Sequence, residues 1–86
     1  MVTLFFEVII LLVIVVKYKI KEIREKKKLS LRDLAELSGV SHTHISNIEK
    51  GKKHPTIYTL GLLAYALEVD LEELYAVNYS LQQNLL

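Results

Sequence analysis

Across HTHISNIEK, the residues His42, Thr43, Ser46, Asn47 and Lys50 recur at spacings of one, three and four, and a helix of about 3.6 residues per turn gathers them on one side. Their side chains are suited to reading hydrogen-bond patterns. An Asn amide can pair bidentately with an adenine edge, an imidazole can bond a guanine or a phosphate, and a threonine methyl can meet the methyl of a thymine. Ile45 and Ile48 fall on the opposite side. A helix anchored along one edge and polar along the other can lie in the major groove of a DNA duplex, with Asn47 as its strongest reader. Taken alone, such a helix is more commonly a solvated surface, so the weight of the reading rests on the residues around it.

Other chemistries find little support. His42 and His44 form an H-x-H pair, but two helical positions stand about 200° apart and do not readily share an ion, so no metal or cofactor is expected. His54 lies in a basic loop and suits a phosphate contact as well as plain exposure. The chain has no cysteine, which removes disulfides and thiolate zinc sites. No Ser/His/Asp or Cys/His set, phosphate-binding glycine loop or paired carboxylates can be found, and catalysis is not expected.

The elements that must position this helix are legible from their caps. Ser30 can accept a bond from the backbone near Asp33 and start a helix with Leu34, Ala35 and Leu37 as its apolar side. Gly39 can close that helix in the left-handed conformation, and Ser41 caps the next one, leaving a turn of about three residues. Ahead of this unit, Tyr18 to Lys28 reads as an amphipathic helix with Ile20 and Ile23 inward. Behind it, Gly51 stops the helix, Pro55 bends the chain and Thr56 caps a fourth helix reaching Leu67, with Leu60, Leu63, Ala64 and Leu67 at core spacing. Asp70 and Glu73 form a capping box for a fifth helix using Leu71 and Leu74. Tyr58, Tyr65 and Tyr75 are assigned to packing. The tail NYSLQQNLL extends the last helix or frays. No strand is indicated, and the fold class is all-α.

An 86-residue chain leaves room for one small domain with appendages and none for a cleft enzyme. The net charge of +1 hides a division: residues 17–54 hold all 11 Lys and Arg against five acids, whereas residues 55–86 carry four acids and no Lys or Arg. The basic half contains the two-helix unit.

The segments IKEIREKKKLS, LRDLAELSGVSHTHISNIEKGKKHPT and TLGLLAYALEVDLEELY together resemble the lambda-repressor/Cro-like (XRE) helix-turn-helix family over about residues 19 to 75. The resemblance implies a compact five-helix DNA-binding domain, here residues 17–76, followed by a tail over 77–86. It implies that His42, Thr43, Ser46 and Asn47 face bases and that Ser41, Lys50, Lys52 and Lys53 face phosphates. It further implies a partly buried ion pair between Arg24 and Glu49. Many family members carry glutamine directly after the first cap, where this chain has Leu31, so one backbone contact is missing and Arg32 on the same helix end is the compensating cation. The implied partner is double-stranded DNA, bound by a homodimer on a two-fold symmetric site. A second class of function is a membrane-associated module that uses a similar domain to hold a protein.

Residues 1–16 (MVTLFFEVIILLVIVV) are apolar except for Thr3 and Glu7. As a helix they would span about 24 Å, short of a hydrocarbon core of about 30 Å, so an anchor needs Lys17 to snorkel and Ile20 to help. The lysines that follow would keep the domain on the cytoplasmic face. Alternatives are a protein-contact segment and an extension upstream of the natural start; a cytoplasmic protein, anchored or free, is expected.

Overall fold

The computed structural model describes residues 10 to 83, with side chains described from residue 14 to residue 79. In chain order the elements are strand β1 (Ile10–Tyr18), helices α1 (Ile20–Lys26), α2 (Leu31–Ser38), α3 (His42–Glu49) and α4 (Ile57–Leu67), a single 3-10 turn (Leu71–Leu74) and strand β2 (Tyr75–Gln83).

Caps set the helix boundaries. Ser30 Oγ accepts from the Asp33 amide at 3.0 Å while Asp33 Oδ2 accepts from the Ser30 amide at 2.9 Å, a reciprocal box that satisfies two donors at the start of α2. Gly39 ends α2 at φ 79°, a left-handed conformation with no Cβ to oppose it. Thr56 Oγ1 accepts from the Thr59 amide and opens α4. The helices enclose one core, in which Ile20, Leu34, Ile45, Ile48, Leu63, Leu67 and Leu74 are fully buried. Each of these side chains contributes on the order of 1.5 to 3 kcal/mol by leaving water.

The all-α, five-helix expectation needs correcting in two places. Among the described residues there are four α-helices, and at the expected fifth the chain makes only the 3-10 turn over Leu71–Leu74. Glu73 Oε2 does accept from the Asp70 amide at 3.0 Å, but Tyr75 already has extended backbone, so the turn cannot propagate. The second correction is a sheet. β1 and β2 pair antiparallel from Tyr18↔Tyr75 out to Ile10↔Gln83, forming a two-stranded ribbon. Residues 10–16 of the apolar segment are therefore extended, and the tail is strand through residue 83. The helical span required for a membrane anchor is not formed there, and among the described residues no helix is long and apolar enough to cross a membrane. Residues 1–9, the front of that segment, and residues 84–86 of the tail lie outside the described residues.

Side-chain placement also departs from expectation. Leu37 is exposed; in its place Ser38 is buried, its Oγ accepting from the Val40 amide at 3.1 Å across the turn. Tyr58 and Tyr65 are exposed on α4, and Tyr75, on a strand, packs against the core edge.

Candidate nucleic-acid interface

α3 is held by its apolar edge. Ile45 and Ile48 are buried at 0% and 1% exposure, which fixes the rotation of the helix and turns the opposite edge outward. Ser41 caps it, its Oγ accepting from the His44 amide at 3.1 Å, and the hydroxyl proton remains free to donate. His42 and Thr43 are exposed at the start of the helix, Ser46 and Asn47 are half-buried along it, and Lys50 is exposed at its end.

The loop after α3 leaves in a defined direction. Gly51 has φ 76°, its amide donates to Ile48 O, and the Lys52 amide donates to Asn47 O at 2.8 Å. This pairing of the last carbonyls is the Schellman arrangement, and it presents Lys52 and Lys53, both exposed, just beyond the C-terminal end of α3. Lys50, Lys52 and Lys53 thus form one basic run, with Ser41 at the opposite end of the helix and Arg32 exposed on the first turn of α2.

Arg24 and Glu49 lock this helix to the domain. Arg24 Nε donates to Glu49 Oε2 at 2.8 Å and Nη2 to Oε1 at 3.1 Å, a two-pronged pair whose side chains are only 10% and 6% exposed. Nη1 donates to Leu29 O at 2.9 Å. One guanidinium from α1 therefore ties the last residue of α3 to the chain entering α2. The Glu49 hydrogen bonds push the Arg24 pKa up against the opposing effect of burial, so the cation is permanent. Leu31 is half-buried and packs against the core.

One contact was not apparent from sequence. The Tyr18 hydroxyl and His54 Nδ1 lie 2.9 Å apart, joining the base of β1 to the basic loop. The two residues are 36 apart in the chain, and nothing local to either announces the pairing. Burial raises the Tyr18 pKa, keeping the phenol protonated. Between the end of β1 and the end of α3 lies a cleft of about 280 Å³, lined by Val15, Val16, Lys17, Tyr18, Ile48, Glu49, Lys50 and Gly51.

This geometry has counterparts. An uncharacterized HTH-type transcriptional regulator of Mycobacterium tuberculosis is 43% identical over 56 residues, 65% of this chain and 40% of the relative. The restriction-modification controller protein C.AhdI of Aeromonas hydrophila superposes with a TM-score of 0.63 at 31% identity, over 64% of this chain and 83% of that one. SinR of Bacillus subtilis, a master regulator for biofilm formation solved in complex with DNA, gives a TM-score of 0.61 at 34% identity, covering 63% of this chain and 87% of that one. The chain spans less than half the length of the Mycobacterium relative. Residues 20–74, from the first residue of α1 to the end of the 3-10 turn, match the HTH_3 helix-turn-helix family model, and the chain belongs to that family.

Proposed function

We propose that this chain is a sequence-specific DNA-binding transcriptional regulator, a small repressor that lays α3 in the major groove and binds as a homodimer on a two-fold symmetric site. The observation that carries this reading is the mounting of α3: buried isoleucines on one edge, readers on the other, the C-terminal end pinned by Arg24 to Glu49, and a basic loop at the same end. SinR, similar over most of its own length, is a DNA-bound example of such a domain.

In this reading His42, Thr43, Ser46 and Asn47 contact base edges, and Ser41, Lys50, Lys52, Lys53 and Arg32 contact phosphates. Phosphate contacts fix the register, and the short polar side chains then discriminate bases. The leucine at position 31 leaves α2 without a side-chain hydrogen bond to phosphate there; the amides at the start of α2 still form an anion-binding end, with Arg32 beside them. One recognition helix covers only about 4 to 6 base pairs, and two related by symmetry would sit about one helical turn apart.

The deciding experiment is selection of duplexes from a random-sequence pool by the full 86-residue chain, read by gel shift. Enrichment of an inverted repeat is the expected result. Failure to enrich any sequence, with binding that is weak and uniform, would refute the base-reading role and favour a protein-holding module.

A further inference from the structure

The ribbon is unlike the rest of the molecule. A two-stranded antiparallel pair is marginal in water by itself, and stability normally comes from further strands or from packing on a face. Strand alternation and the Tyr18↔Tyr75 register put Ile14, Val16 and Tyr18 of β1 on the same face as Tyr75, Val77 and Tyr79 of β2. None of its described side chains is charged. Among the described side chains, the opposite face holds Val15, Lys17, Ala76 and Asn78. Tyr18 and Tyr75 at the base pack against the core, but farther out Ile14 is 54% and Tyr79 is 69% exposed.

We infer that this apolar ribbon face is the surface on which a second copy of the chain docks. The molecule has extents of 55 × 20 × 20 Å and a radius of gyration of 17.4 Å. A compact chain of this length has a radius of about 12 Å. Its accessible surface is 6468 Å². The scaling law for compact monomers gives about 5,200 Å² at this mass, so the elongated shape leaves, over both faces and both edges of the ribbon together, more surface than the roughly 800 Å² per partner that a stable interface covers. The face is also self-complementary. Beyond the base, its β1 half offers Ile14 and Val16 and its β2 half Val77 and Tyr79, so a two-fold axis running along the ribbon sets β1 of one copy over β2 of the other and brings Ile14 of one against Tyr79 of the other. With no charge on the face, bringing two copies together costs no repulsion. The same axis puts both helical heads at one end of the pair, where two recognition helices can meet one duplex. The inference deepens the two-fold reading above by naming the surface that creates the symmetry.

The test needs no DNA. In sedimentation equilibrium at tens of micromolar, the full chain should have twice its 9.9 kDa mass. The double substitution Ile14→Thr with Tyr79→Thr removes the apolar surface while keeping strand-favouring residues, and should sediment as a monomer with its helical circular dichroism intact. Because the chain lacks cysteine, single cysteines can be placed at will. Val77→Cys should be captured as a dimer by a short thiol cross-linker, whereas Asn78→Cys on the other face should not. A monomeric parent overturns the inference, as does a parent that floats with phosphatidylglycerol vesicles. A dimer that survives the double threonine variant, or that dissolves instead with Tyr65→Ser on α4, places the contact elsewhere and equally overturns it. An intact dimer that selects no DNA sequence would refute the base-reading role alone.

Discussion

At the level of single residues, α3 separates two kinds of contribution to binding. Asn47 offers both a donor and an acceptor, and Asn47→Ala should relax specificity at one position per half-site at a cost of about 1 to 3 kcal/mol. Equal loss on selected and random duplexes in a competition gel shift would remove it from the base-reading set. Lys52 offers only charge, so Lys52→Ala should weaken binding to every sequence alike and make the slope of log affinity against log salt shallower by about 0.9 per lost phosphate contact. A slope that does not move shows the loop after Gly51 to be away from the DNA. The Arg24–Glu49 pair belongs to a third kind, because its effect passes through folding. Glu49→Ala strands a buried guanidinium, which typically costs about 3 to 5 kcal/mol, and the melting temperature of so small a domain should fall by more than about 10 °C. A fall of a degree or two, measured by circular dichroism, contradicts the burial seen here.

At the level of elements, α2 depends on its cap. Hydrogen bonds from the Ser30 backbone amide and side chain hold the Asp33 carboxyl below its ordinary pKa of 3.8. A carboxylate that is more acidic folded than unfolded binds fewer protons in the native state, so its contribution is complete above the unfolded pKa and disappears as pH falls through the lowered folded value. Asp33→Asn should therefore lower stability by a constant amount between pH 6 and pH 8 and flatten the acid limb, where the parent loses the same contribution and the two curves converge, a comparison that urea melts at several pH values can make. The helices were legible for the same reason that this cap works: Ser30, Gly39, Ser41, Gly51 and Thr56 each act within about one turn of themselves. The strands were not. Residues 10–16 are continuously apolar, a pattern that fits helix and strand equally and does not choose between them. The alternation of Tyr75, Val77, Tyr79 and Leu81 with Ala76, Asn78, Ser80 and Gln82 was a period-two signal hidden behind an apparent helix start at Asp70. Leu37 failed for a related reason: helical spacing marks an apolar side but does not say where the neighbouring helix stops covering it.

At the level of the whole molecule, the helical head and the ribbon differ in how their contacts are distributed along the chain. α2 packs with α3 and α4, its near neighbours in sequence. The ribbon instead joins Ile10 to Gln83 and Tyr18 to Tyr75, enclosing α1 to α4 between its strands. That arrangement has a consequence for synthesis. A ribosome adding about 5 to 20 residues per second completes β1 several seconds before β2 has been made. Helices form within about a microsecond, so the head can assemble while an apolar strand of nine residues still waits without its partner. Once α1 and the 3-10 turn have docked, Tyr18 and Tyr75 are already neighbours, and pairing can run outward from them with little further loop entropy to overcome. Translation that stalls before Tyr75 leaves the waiting strand with two bare edges, and such nascent chains should be the ones that associate with one another.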